Sequence, residues 1–128
     1  MSTRNILVVD DSATMRSMIV SVLESLGDHH IVEASSGFDA LRFLPRSRIH
    51  LILTDINMPD INGLELLSYL RKNPNYKDIP VFIISSEGSA KDIEKGKQLG
   101  ADEYVVKPFS PPALRLLIEQ YLSKSYEL

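Results

Sequence analysis

Five short apolar runs, at residues 6–9, around 31–34, and at 51–53, 81–84 and 104–106, recur along the chain, and a segment of helical period follows each one. The runs are rich in Ile, Val and Leu and lack the apolar–polar alternation of a sheet with one wet face. Strands buried on both sides have this pattern. Strict strand–helix alternation leaves few folds open, because right-handed crossovers lay successive strands parallel and put helices on both faces. The expectation is a three-layer α/β/α sandwich around a five-stranded parallel sheet, with residues 1–128 forming one domain.

The intervening helices can be placed from their stripes. Met15, Met18, Ile19, Val22, Leu23 and Leu26 form an i, i+3, i+4, i+7 face, with Ser12 as N-cap and Gly27 as the stop. A shorter helix follows Gly37, with Phe38, Leu41 and Leu44 on one face and Pro45 ending it. A third starts near Asn62 or Gly63 and uses Leu64, Leu67 and Leu70. Residues 90–99 have helical propensity but only a thin apolar stripe of Ile93, Gly96 and Leu99, which suits a lightly anchored helix able to shift or take a partner. The last helix begins at Pro111-Pro112 and buries Leu114, Leu117, Ile118, Tyr121 and Leu122, leaving 123–128 as a short tail.

In sheets of this kind ligands bind beyond the carboxyl ends of the strands. The residues that end these strands are Asp10-Asp11, Asp55, Ser85-Ser86 and Lys107-Pro108, while the second strand ends blandly at Ala34-Ser35-Ser36. Three carboxylates, a hydroxyl and an ammonium are therefore aimed at one edge. Clustered carboxylates repel one another unless a cation joins them. The chain has no cysteine, and His29, His30 and His50 lie outside the strand ends, so the donors are oxygens and Mg²⁺ fits better than Zn²⁺. Two cations around a carboxylate suit it to accept a phosphoryl group. Each residue alone has a plainer use: Asp10-Asp11-Ser12 as a helix cap, Asp55 as a turn residue, Lys107 as a surface lysine, Tyr104 as packing under the last helix.

Taken together, Ile6-Leu-Val-Val-Asp-Asp-Ser12, Asp55-Ile-Asn-Met-Pro-Asp60 with Gly63-Leu-Glu65, Ser85 and Lys107-Pro-Phe109 resemble the receiver domains of two-component response regulators, in particular the single-domain CheY-like members. The resemblance runs from the first strand to the last helix and implies strand order 2-1-3-4-5. It implies that Asp55 is the phosphoacceptor, that Asp10, Asp11, Asp55 and the backbone carbonyl of Asn57 hold Mg²⁺, and that Lys107 contacts the phosphoryl oxygens. Ser85 takes the place of the switch hydroxyl and Tyr104 that of the aromatic that turns inward on activation. Asn57 and Glu87 match positions that tune dephosphorylation, and Lys107-Pro108 matches the family's cis peptide. Ser86, where Ala is usual, and Asn62, where Asp is common, are the departures.

The implied partners are a sensor histidine kinase or phosphotransfer protein and a downstream protein target. The target would be met by the face made of the fourth helix, fifth strand and fifth helix. This is a signalling phosphoacceptor and not an enzyme in the ordinary sense, either stand-alone or part of a longer regulator. A haloacid-dehalogenase-type phosphohydrolase would carry its nucleophile at the end of strand one with a second Asp two residues on, where this chain has Asp10-Asp11-Ser12. A flavodoxin-like binder needs a hydroxyl-rich phosphate loop there, and two aspartates would repel a phosphate. The net charge of −3, with Lys and Arg scattered, argues against direct nucleic-acid binding. The apolar runs are too short for membrane insertion, and the first residues lead straight into a strand, so a cytoplasmic location is expected.

Overall fold

Strands and helices alternate along the chain as the apolar runs require. The structure, a computed structural model, describes residues 3–126. In order the elements are β1 (Asn5–Val9), α1 (Ala13–Glu24), β2 (His30–Ala34), α2 (Gly37–Phe43), a 3₁₀ turn (Leu44–Arg46), β3 (Leu51–Thr54), α3 (Gly63–Lys72), β4 (Val81–Ser85), α4 (Ala90–Gln98), β5 (Glu103–Val106) and α5 (Pro111–Tyr126). All strand pairs are parallel and the order is β2-β1-β3-β4-β5.

Because side chains alternate across a strand, the sheet feeds two cores. Leu7, Val9, Ile52, Val81 and Ile83 pack with Ala40 and Leu44 and with Leu66, Leu67 and Leu70 of α3. Ile6, Val8, Leu51, Leu53, Phe82 and Ile84 pack with Ile19, Val22 and Leu23 of α1 and Leu114, Ile118 and Leu122 of α5. Each fully buried aliphatic side chain contributes about 1.5–3 kcal/mol. β3 and β4 are buried along their whole length, and β1 is buried from Ile6 onward.

The edge strands differ from the sequence expectation of burial on both sides. β2 exposes His30 and Glu33, and β5 is half-buried with Val106 exposed, since each has a neighbour on one side only. The expected stripes of α1 and α2 otherwise face the core, with Met15, Ile19, Val22, Leu23 and Leu26 in one and Leu41 and Leu44 in the other, and each has a single outlier. Met18 and Phe38 are exposed, while α2 buries Gly37 and Ala40 instead. In α3 the inward residues are Leu66, Leu67 and Leu70, with Leu64 only half-buried. α2 ends at Phe43, ahead of Pro45 as expected, and Pro45 then enters a 3₁₀ turn.

α1 stops at Glu24, before Leu26, and its Ser12 cap accepts a hydrogen bond from the Met15 N–H at 3.2 Å. Asn62 caps α3 reciprocally with Glu65, a capping box that Asn satisfies as well as Asp would. The expected tail at 123–128 is mostly helix, since α5 continues to Tyr126. Met1, Ser2, Glu127 and Leu128, which the expectations about the N-terminus and the tail also covered, lie outside the described residues.

Candidate functional site

Parallel pairing brings the ends of β1 and β3 side by side. The Asp55 N–H donates to the Val9 carbonyl at 2.9 Å, and that of Asp10 to the Ala34 carbonyl at 3.1 Å, so both aspartates leave the sheet at the same level. Asp10 is 1% exposed and Asp55 8%, while Asp11 faces solvent. Carboxylate oxygens of Asp10, Asp11 and Asp55 all lie within 4.8 Å of one another.

Lys107 reaches this cluster from the end of β5. Its Nζ stands 3.0 Å from Asp10 Oδ2 and 3.4 Å from Asp55 Oδ2. The peptide bond to Pro108 is cis, and the Lys107 N–H donates to the Ser85 carbonyl at 2.8 Å, tying the ends of β4 and β5. One ammonium facing three carboxylates leaves a local excess of negative charge. Burial pushes the Asp55 carboxyl above its usual value; Lys107 opposes this, and Asp10 adds to it. An all-oxygen donor set, a charge deficit and one exposed flank at Asp11 fit a hard divalent cation that keeps some of its water.

The loop after Asp55 is held from three directions. Asp55 Oδ1 accepts the Ile56 N–H at 2.8 Å. At the start of α3, a Cβ on Gly63 would stand 2.0 Å from the Asp55 carbonyl oxygen, so only glycine lets the helix begin so close to the strand end. Asp60 then reaches across to the start of α2, accepting the N–H groups of Gly37 and Phe38 at 3.0 and 2.9 Å and that of Ile61 at 2.7 Å. Against a desolvation penalty, the Phe38, Ile61 and Gly37 donors hold the Asp60 carboxyl below its usual value.

The other predicted residues sit around the same opening. Ser85 is fully buried, and its Oγ accepts the Glu87 N–H at 3.0 Å. Asn57 is exposed, and its Nδ2 donates to Glu87 Oε1 at 3.2 Å, bridging the loops after β3 and β4. The Tyr104 hydroxyl donates to the Glu87 carbonyl at 2.5 Å and contacts the Ser85 side chain, so its ring lies tucked beneath α4. Burial raises the phenol's pKa above the usual value, and Ser85 partly offsets the rise. His29 and His50 sit at the opposite end of the sheet, where their Nδ1 atoms accept the N–H groups of Arg4 and Asn5. They lie apart from the cluster, as the sequence suggested.

Two contributors escaped the sequence. Arg16 Nη1 donates to the Asp10 carbonyl at 2.6 Å while its Nε meets Glu33 at 3.2 Å, fixing the backbone of the acidic turn. Its place on the first turn and a half of α1, beside an acidic strand end, was the available signal. Asp60 as a cap for α2 had only Pro59 before it and the turn Ile61-Asn62-Gly63 after it to mark it.

Comparison with known proteins agrees with this geometry. The family described as "Response regulator receiver domain" matches residues 6–119. A "Chemotaxis protein CheY homolog" of Campylobacter jejuni is 37% identical over 118 residues, covering 91% of each chain. Among solved structures, the chemotaxis response regulator CheY4 of Vibrio cholerae superposes with a TM-score of 0.85 at 31% identity, covering 94% of this chain and 99% of that one. The Mn²⁺-bound form of response regulator Rcp1 gives 0.78 at 27% identity, covering 91% and 90%. Among the described residues no helix is long and apolar enough to cross a membrane.

Proposed function

The chain belongs to the response regulator receiver family and is CheY-like, a signalling module of two-component systems rather than an ordinary enzyme; from that membership we propose that Asp55 is its phosphoacceptor. The observation that carries the proposal is the convergence of Asp10, Asp11 and Asp55 within 4.8 Å, with Lys107 Nζ 3.0 Å and 3.4 Å from two of them. A carboxylate kept in a shared, cation-hungry pocket is a nucleophile whose product, an acyl phosphate, meets the same positive charges.

In this reading an Asp55 carboxylate oxygen attacks the phosphorus of a phosphohistidine on a kinase or phosphotransfer protein. The O–P bond forms as the N–P bond breaks, and the imidazole nitrogen leaves with the electron pair. Asp10, Asp11, Asp55 and the Asn57 carbonyl would hold Mg²⁺, which offsets charge on the transferring group. The metal-bound state recorded for Rcp1 supports assigning a divalent cation to the site. Lys107 leaves its pairing with Asp10 and Asp55 to neutralise phosphoryl oxygens. Ser85 turns its hydroxyl from the Glu87 N–H toward the new acceptor oxygens, of which a phosphoryl group brings three.

Asn57 and Glu87 stand over the acyl phosphate and set how readily water reaches it. Through Ser85 and Tyr104 the charge change alters the face made by α4, β5 and α5, which binds the downstream protein. Residues 1–128 act as one receiver domain in the cytoplasm, with no direct nucleic-acid contact and no membrane insertion. Intact mass after incubation with a small-molecule phosphodonor tests the core of this. One phosphoryl adduct should form, requiring Mg²⁺ and absent from Asp55→Asn. A protein unmodified on a timescale fast enough to trap an acyl phosphate would overturn the reading and leave a constitutive binding module.

A further inference from the structure

Two glycines, Gly96 in α4 and Gly88 in the loop before it, lie against β5. Tyr104 and Val106, two residues apart on β5, project to the same face of the sheet. A Cβ at Gly96 would stand 2.8 Å from Tyr104 Cδ2 and 3.0 Å from Cε2, and one at Gly88 would stand 2.8 Å from Val106 Cγ1. Gly96 is the only buried residue of α4, and this contact seats the helix on the sheet. A glycine inside a helix works against helix formation, so propensity does not explain it.

The same contact closes a path to the candidate site. With its ring on Gly96, Tyr104 places its hydroxyl on the Glu87 carbonyl at 2.5 Å. The Glu87 N–H is on Ser85 Oγ and its carboxylate is on Asn57 Nδ2. A continuous line of contacts therefore runs from the loop after Asp55, through Glu87 and Tyr104, to the backbone of α4.

We infer that Gly96 is the positioning residue of the switch: it leaves the berth that the Tyr104 ring occupies when its hydroxyl reaches Glu87, and a single methyl group there closes it. At Gly96 the seat is backbone, so no side chain of its own stands between α4 and the ring there. The inference rests on the proposed reading that Tyr104 reports the state of Asp55.

A double-mutant cycle on melting temperature tests the berth. In a Tyr104→Ala background, Gly96→Ala should show the ordinary gain of removing a helical glycine, about 4 °C for a chain of this size. With Tyr104 present the same substitution should give no gain or a loss. Equal gains in both backgrounds would overturn the inference. A Gly96→Ala protein that fails to fold alone but folds with Tyr104→Ala gives the expected coupling in stronger form.

A second measurement reads the ring itself, using 3-fluorotyrosine labelling, ¹⁹F NMR and assignment by Tyr104→Phe. With Mg²⁺ and beryllofluoride as the phosphoryl mimic, the Tyr104 line should lie away from the free amino-acid position in the native sequence and at that position in Gly96→Ala. Coincident buried lines in the two proteins would overturn the inference. The phosphodonor mass adduct separates the two readings: if the native protein takes no phosphoryl group the receiver reading fails, whereas an intact adduct with an additive cycle sinks only the role of Gly96.

Discussion

At the carboxyl ends of its strands the sheet gathers three carboxylates around one ammonium, whereas at the amino ends Arg71, Asp102, His29 and His50 are each matched to partners. Below the sheet, Arg71 spreads its guanidinium over the Gly100 carbonyl at 2.8 and 3.1 Å, the Ile79 carbonyl at 2.8 Å, the Lys77 carbonyl at 3.2 Å and Asp102 Oδ2 at 2.9 Å. Asp102 Oδ2 also takes the Val81 N–H at 2.8 Å, and the imidazoles of His29 and His50 take those of Arg4 and Asn5 at 3.2 and 3.0 Å. The upper edge holds charge it cannot neutralise by itself, and the lower edge pins α3, β4 and β5 together. Reactivity and stability are thus divided between the two ends of one sheet.

The comparison breaks most easily at Arg71. Arg71→Ala removes the donors of three backbone carbonyls and of one carboxylate, and should cost about 2–3 kcal/mol in urea unfolding. Arg71→Lys should recover less than half, since an ammonium cannot fork over carbonyls arranged around a plane. A loss within about 0.5 kcal/mol, the range of ordinary surface substitutions, would mean that the lower edge is held by the cores alone.

Asp55→Asn should act in the opposite direction at the upper edge. Burial raises the pKa of the Asp55 carboxyl above its usual 3.8, so the folded chain holds an ionised group that would be more stable in water. Removing that charge should raise the melting temperature by about 1–3 °C in metal-free buffer while abolishing phosphorylation. Saturating Mg²⁺ should narrow the difference, because the cation stabilises only the chain that keeps the full carboxylate set. A melting temperature lowered by Asp55→Asn without metal would remove the contrast between the two ends.

The upper edge could be read from the sequence because its residues fall where the strands stop: an apolar run followed at once by Asp10-Asp11 or by Lys107, or after Thr54 by Asp55, names its own position. Register then needed no reading at all, since parallel strands of similar length bring those ends together. The lower edge carries no such mark. Arg71 and Gly100 are 29 residues apart and Asn5 and His50 are 45 apart, joined by a guanidinium and an imidazole whose partners are backbone atoms. Backbone carbonyls are the same at every position, so no residue pattern points to them. The exposed Phe38 shows the related limit for helices, where spacing reveals an apolar stripe but not which of its members is seated: Leu44 is buried and Leu41 packs on the core while Phe38 is exposed, and Gly37 and Ala40 are buried instead.

Acid separates the two ends by sign. Burial lowers the pKa of both His29 and His50 below the usual 6.5, helped by the Arg4 guanidinium and, at His50, by Arg48; Asp28 opposes the shift at His29. Both imidazoles accept N–H groups through Nδ1, so protonation breaks those bonds. In the window from 6.5 down to the lowered values, the unfolded chain binds more protons than the folded one. Stability present above pH 6.5 is therefore lost as the pH falls through that window. Asp55 has the reverse linkage: its raised pKa means the folded chain gains protons first, so stability recovers in part as the pH drops through that value toward 3.8. Both imidazoles are partly in solvent, so the drop should be small, about 1–2 °C of melting temperature between pH 7 and 5.5 after screening. His29→Asn with His50→Asn keeps an acceptor near each Nδ1 position and should flatten that limb while leaving the Asp55 limb intact. A limb unchanged by the pair of substitutions would assign the acid loss to other groups and leave the lower edge indifferent to pH.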